Sequence, residues 1–200
     1  MKPILYFVAA CLAVAGCAAV AADVAPDAVV TSTVNDVLTV IKQNKDKRAL
    51  REIAEQKVVP HFDFKRMTQL AVGPAWRQAT PAQQQSLENS FRVLLVNTYA
   101  SALSISGSGS QSVEVKPLQL QAGQDDVMVK TLVKDPGKQP VMIDYHMAKG
   151  TDGWKVFDVV VENLSLVTNY RGSFASEISR SGIDGLIKVL EEKNRTLAKL

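Results

Sequence analysis

The chain reads as an α+β domain: a curved antiparallel sheet of about four strands, wrapped by helices that precede and follow it. Three observations predict this. Apolar residues recur at helical spacing before residue 106 and again after residue 166. Between them lie four short segments rich in β-branched and aromatic residues, at 113–120, 127–134, 141–148 and 154–161. Pro136-Gly137 and Thr151-Asp152-Gly153 then join the last three through connections too short for anything but antiparallel neighbours.

Each element has a local cause. Pro26 sits where a first helical turn begins, and Val29, Val30, Val34, Val37, Leu38 and Ile41 fall within half of a helical wheel. Ala49, Leu50, Ile53 and Ala54 continue in a second short helix that stops near Pro60. Thr80-Pro81-Ala82-Gln83 combines an N-cap, a proline at the first helical position and a glutamine three residues on from the cap. The helix it starts carries Leu87, Phe91, Leu94, Leu95, Thr98 and Ala102 on one face and ends before the flexible Ser106-Gly107-Ser108-Gly109-Ser110. In the strands, Val127, Val129, Thr131 and Val133 alternate with Met128, Lys130, Leu132 and Lys134. Val141, Ile143, Tyr145 and Met147 alternate with Met142, Asp144 and His146. That pattern predicts one face toward helices and one toward solvent, with His146 and Asp144 on the solvent side. Leu166, Val167, Tyr170, Phe174 and Ile178 return to helical spacing, and Ser181-Gly182-Ile183-Asp184 reads as the capping box of a last helix.

The first 22 residues read as a secretory leader: Lys2, an apolar stretch too short to span a bilayer, and small residues ending in Ala19-Val20-Ala21-Ala22. Residues 23–200 then form one domain of 178 residues, long enough for a sizeable core. Both cysteines, Cys11 and Cys17, fall in the leader, so the remainder has none for a disulfide. Val14-Ala15-Gly16-Cys17 also resembles a lipobox, which would place a lipid anchor on Cys17. Net charge is +3, and Lys2 is the leader's only charge, so the domain carries about +2, too little to argue for nucleic acid.

A search for catalytic chemistry finds no motif. His61 and His146 are the two histidines, and neither stands in metal-ligand spacing with cysteine or paired carboxylates. The Gly107-Ser108-Gly109 stretch lacks the Gly-x-Ser-x-Gly elbow, and there is no phosphate-binding glycine loop. His61, after Pro60, reads as a turn or interface residue. No metal or cofactor is expected.

The run 153–174 reads Gly-Trp-Lys-Val-Phe-Asp-Val-Val-Val-Glu-Asn-Leu-Ser-Leu-Val-Thr-Asn-Tyr-Arg-Gly-Ser-Phe, a strand followed by a helix. Pro60-His61-Phe62, Met67, Gly73-Pro74-Ala75-Trp76-Arg77, Thr80-Pro81, Thr98-Tyr99 and Gly182 accompany it in order. Together these resemble the periplasmic phospholipid-binding proteins of the MlaC, or toluene-tolerance, family over roughly residues 30–190. The resemblance implies a deep apolar cavity between the layers that holds the tails of a diacyl phospholipid. Taken together with the missing catalytic motifs, it favours a binding protein over an enzyme. It also implies a periplasmic shuttle that keeps the outer membrane asymmetric. Its partners would be an outer-membrane lipoprotein–porin complex and an inner-membrane ABC transporter bearing a lipid-binding ring. On this basis Val72, Trp76, Leu95, Tyr99, Val129, Ile143, Tyr145 and Val159 are expected to line the cavity.

Asp158 interrupts an apolar strand, so its carboxylate either faces water or needs a partner. Arg171 is the candidate through a bidentate pair; otherwise Arg171 meets lipid phosphate or a protein. Other classes stay open: a lipoprotein tethered through Cys17 with a structural or assembly role, an exported enzyme on a similar scaffold, or a carrier of another amphiphile such as a quinone or isoprenoid. The leader gives the first prediction. The intact mass of the exported protein should correspond to cleavage after Ala21 or Ala22, and a diacylglyceryl group on Cys17 would overturn this.

Overall fold

The structure, a computed structural model, describes residues 24–43, 46–106 and 110–199. The leader, Cys17 and the glycines of the 107–109 connector lie outside the described residues. Among the described residues the elements follow in the order α1 Pro26–Gln43, α2 Lys47–Ile53, α3 Phe64–Val72, α4 Pro81–Ser106, β1 Ser112–Val115, β2 Asp126–Lys134, β3 Val141–Gly150, β4 Gly153–Val161, β5 Leu164–Ser165 and a kinked α5 Leu166–Leu197. The strands form a single antiparallel sheet in sequence order, β1-β2-β3-β4-β5.

The helix starts are made by side chains. Asp46 accepts from Ala49 N at 3.1 Å, Asp63 from Arg66 N at 2.8 Å and Ser165 from Thr168 N at 3.0 Å, each filling an orphan donor of a first turn. At α4 the expected capping box forms in both directions: Gln83 N donates to Thr80 Oγ1 and Thr80 N donates to Gln83 Oε1, at 3.3 and 2.9 Å. After α2 the chain widens into a π-helical turn over Ala54–Val58 and tightens into a 3-10 turn over Val59–His61. Pro60 supplies no backbone donor there, so a regular helix cannot pass through it. Gly73, at φ +68°, ψ −140°, ends α3 and opens a second 3-10 turn, Gly73–Gln78.

Three expectations need correction. The first strand ends at Val115 rather than reaching residue 120, because Pro117 has no N–H to continue the ladder; Lys116 N donates the last bond, to Lys130 O. The sheet has a fifth strand. Glu162 and Asn163, at φ +48° and +66°, make the two-residue turn that folds β5 back onto β4, and neither is the glycine that usually marks such a turn. A last helix does start at Gly182, whose non-helical backbone divides Leu166–Leu197 into two helices at a kink, but the Ser181 hydroxyl donates to Glu177 O of the preceding turn rather than capping the new one.

The side chains gather into three apolar clusters rather than one. The largest joins α3, α4 and α5, with Phe91 edge-on to Tyr170 and Phe174 and with Leu87, Leu94, Leu186 and Leu190 around them. A second packs Val30 of α1 onto Val127, Val129, Met147, Trp154 and Val156 of the sheet. The third is Ile41 of α1 against Leu50 of α2. A domain of this size usually has one contiguous core, so the space among the three needs an explanation.

Gly182 lies at φ +73°, ψ −175°, a region that is essentially glycine-only. Gly182→Ala should therefore cost about 1–3 kcal/mol in urea denaturation. An unchanged midpoint would show that the kink is not required.

Candidate functional site

The space between the clusters is a cavity of about 360 Å³. The helix α1 forms one wall through Val29, Val34, Val37 and Leu38, four of the residues its helical period puts on one side. The chain from α2 to α3 forms the next, through Ile53, Ala54, Val58, Val59, His61 and Phe62. Leu95, Val96 and Tyr99 come from α4. The sheet contributes Val113, Val133, Ile143, Tyr145, Val156, Val159 and Val161. Among the described lining residues only Thr33, His61, Tyr99, Gln111 and Tyr145 carry a polar side-chain atom, and the Thr33 hydroxyl is already committed to Val29 O at 2.8 Å.

The β4 wall depends on an irregularity. Met147 pairs with Val156 and His146 with Asp158, so Phe157 is an extra residue, a β-bulge. In a regular strand Val156 and Val159 would face opposite sides, because side chains alternate. With the bulge both face the cavity, and Val161 follows Val159. Phe157 itself joins the α3–α4–α5 cluster, with the Arg66 guanidinium 3.5 Å from its ring centre and the His146 ring edge-on at 5.8 Å.

Of the eight expected lining residues, the structure brings Leu95, Tyr99, Ile143, Tyr145 and Val159 to the cavity. It does not bring Val72, Trp76 or Val129. Val72 and Trp76 pack in the α3–α4–α5 cluster, and Val129 is wholly buried in the cluster that joins α1 to the sheet. Sequence reasoning missed most of the α1 wall and the irregular wall at 54–61, because an apolar stripe facing a cavity has the same period as one facing a core. His146 is also corrected. It lies on the sheet face away from the cavity, as expected, but half-buried against Phe157 rather than open to solvent, and Asp144 is half-buried beside it.

Asp158 and Arg171 are not partners. Asp158 is 8 % exposed and its carboxylate accepts from Ser165 Oγ at 2.6 Å, Val167 N at 3.1 Å and Val159 N at 2.9 Å. It thus ties β4 to the first turn of α5, where a negative charge also suits the helix dipole. Arg171 is exposed and lies across Gly73, where any Cβ would stand 3.4 Å from its Nε. That is ordinary contact, and it is the positive φ at Gly73 that favours glycine there.

The titration behaviour of the lining keeps it uncharged near neutral pH. Burial pushes the Tyr145 hydroxyl up to about 12, with its hydrogen bond to Thr131 opposing. Burial, with Tyr170 and Asp158 nearby, does the same at Tyr99. Tyr99 is nonetheless 45 % exposed, so this part of the lining also meets solvent. Burial and then the Lys155 charge lower the His61 pKa, against an opposing effect of Asp36. Among the described residues no three His, Cys, Asp or Glu side chains converge as metal ligands, and no helix is long and apolar enough to cross a membrane. Such a lining can hold an elongated apolar molecule and offers no nucleophile beside an activating base.

The sequence model of the MlaC protein family matches residues 31–192. The intermembrane phospholipid transport system binding protein MlaC of Haemophilus influenzae is 20 % identical over 154 residues, covering 76 % of this chain and 71 % of that protein. Toluene tolerance protein ttg2D of Pseudomonas putida is 26 % identical over 166 residues, covering 80 % and 75 % respectively. Among solved structures, a phospholipid-binding protein from Ralstonia solanacearum in complex with a phospholipid superposes with a TM-score of 0.78 at 40 % identity. The match covers 88 % of this chain and 99 % of that one.

The Asp158 contacts predict a clear asymmetry in stability. Asp158→Ala removes an acceptor from three buried or half-buried donors and should cost about 1.5–3 kcal/mol or more. Arg171→Ala, at an exposed residue without an ion pair, should stay within about 0.5 kcal/mol of the parent. Equal losses for the two variants in denaturant titrations would restore the ion pair.

Proposed function

The chain belongs to the MlaC protein family, and from that membership and its cavity we propose that it binds a diacyl phospholipid by the tails and carries it between membranes. The observation that carries this reading is the match between cavity and tail. Lining residues run along α1 from Val29 to Ile41, about 18 Å at 1.5 Å per residue. Along β4 they run from Val156 to Val161, about 17 Å at 3.3 Å per residue. One leaflet of a bilayer's hydrocarbon core is about 15 Å deep, half of about 30 Å. The cavity therefore has the length of an acyl chain, and its walls offer that chain almost nothing but carbon.

The energetics support a carrier that encloses the tails. Each buried methylene contributes about 0.8 kcal/mol, so two acyl chains represent on the order of 20 kcal/mol against exposure to water. A carrier without an apolar enclosure could not compete with the bilayer for its cargo. The polar head stays outside, where the exposed Tyr99 meets solvent. In this reading the protein is a non-catalytic carrier. It works in the periplasm after removal of residues 1–22 and exchanges lipid with an outer-membrane lipoprotein–porin complex and an inner-membrane ABC transporter bearing a lipid-binding ring. The Haemophilus relative, named as the binding protein of a phospholipid transport system, supports the transport part of the reading. The Ralstonia protein, solved with a phospholipid, supports the ligand.

Native mass spectrometry of gently purified protein should show about one diacyl phospholipid per chain, recoverable in a chloroform extract. Val159→Trp, which fills the middle of the β4 wall, should lower that occupancy several-fold. Met128→Ala, on the opposite face of the sheet, should leave it unchanged. A parent protein of bare sequence mass would refute the reading, and an extract containing a quinone or isoprenoid would reassign the cargo.

A further inference from the structure

We propose that His61 makes retention of the cargo fall on acidification, so that the cavity holds its lipid tightly near neutral pH and loosely in mild acid. The inference rests on the phospholipid-carrier reading and adds a control to it. Among the described lining side chains, His61 is the one whose ordinary pKa lies between pH 5 and 8; Tyr99 and Tyr145 titrate far above that range. It sits in the 3-10 turn Val59–His61, half-buried, with its neighbours Val59 and Phe62 also in the wall.

The charged groups that act on His61 come from two elements, β4 and α1. Lys155 of β4 donates from Nζ to Pro60 O at 2.7 Å, which fixes a cation one residue away. Asp36 of α1 supplies the nearby negative charge, and Lys57 of the π-helical turn lies 3.9 Å from it. On the α3 side, the Asp63 carboxylate caps its own helix through Arg66 N, and from α4 the Arg92 guanidinium is paired with Glu55. Lys155 is thus the cation and Asp36 the carboxylate that act on the ring, and each stands near an opposite charge of its own, Asp152 4.0 Å from Lys155 and Lys57 3.9 Å from Asp36. Burial and Lys155 both disfavour the imidazolium, and Asp36 offsets them only in part.

An acyl tail against this wall removes the remaining water from the ring. A neutral imidazole tolerates that at the cost of one polar group, whereas a desolvated imidazolium is far more costly. Cargo and proton therefore compete. The loaded protein binds fewer protons at His61 than the unloaded one, so retention is full at and above the ordinary histidine value and falls as pH drops below it, through the already lowered pKa of the unloaded protein. One proton limits the effect to at most tenfold per pH unit.

The test uses the lipid-loaded full domain mixed with vesicles of a zwitterionic phosphatidylcholine, whose head group does not titrate between pH 7.5 and 5.5. Protein-bound phospholipid is then measured by native mass spectrometry at equilibrium. The parent should lose lipid to the vesicles several-fold more at pH 5.5 than at pH 7.5. His61→Gln and His61→Phe should retain the same fraction at both, and two variants of different polarity guard against a simple folding defect. A parent that retains lipid equally at both pH values, or variants that keep the parent's pH dependence, would overturn the proposal while leaving the carrier reading intact. A parent that holds no lipid at pH 7.5 would instead overturn both.

Discussion

A fold that keeps an apolar cavity open must hold its walls from behind. Left unfilled and enclosed, a void of about 360 Å³ would cost on the order of 9 kcal/mol at about 24 cal/mol per Å³. That is comparable with the whole stability of an ordinary domain. Collapse is the default, and the structure opposes it by placing its packing outside the cavity. The α3–α4–α5 cluster supports the α4 wall, the Val30–Trp154 cluster fixes the start of α1 on the sheet, and Ile41 on Leu50 fixes its end. The middle of α1, with Val34, Val37 and Leu38 half-buried, spans the void between these two anchors. An apolar occupant completes the packing that the protein itself leaves out.

The bulge at Phe157 and the buried Asp158 serve that arrangement together. One inserted residue lets Val156 and Val159 face the cavity and sends Phe157 into the helical cluster, so a single strand contributes to two apolar regions. The next residue turns its carboxylate onto Ser165 and Val167 and so fixes where α5 leaves the sheet. The free edge of β4 before β5 is covered by Phe62, which bridges to Val156 in parallel, and by Asp63 N donating to Val156 O at 2.8 Å. That contact also pins the His61 turn to the sheet. Wall, edge cover and helix start are therefore mechanically linked, and a change in the 59–63 segment is felt by β4.

How much of this was legible in the sequence varies with the range of the interaction. The capping box at Thr80–Gln83, the start of α1 at Pro26 and the alternation of β2 and β3 rest on residues within a few positions of one another, and the structure has them. The type I′ turn at Glu162-Asn163 was not legible, because its left-handed backbone is held by distant groups: Glu162 N donates to Met142 O, and Met142 N donates to Glu162 Oε1. The partner of Asp158 was misassigned for a similar reason. A sequence shows a lone carboxylate in an apolar strand and suggests a cation, but backbone N–H groups at a helix start carry no letter of their own.

What the sequence determined by itself is the class and order of the elements, since helical and strand periods are written in the spacing of apolar residues. The run 153–174 and its companions also determined the family, which the match over residues 31–192 shows. Which side of each apolar stripe meets side chains and which meets a void was decided by the tertiary structure alone. Val72, Trp76 and Val129 have the same apolar character as Leu95, Ile143 and Val159, yet the first three are packed and the last three line the cavity. Periodicity reports that a position avoids water. It is blind to what replaces the water, because a leucine from another helix and the methylenes of a tail are the same surface to the residue that touches them.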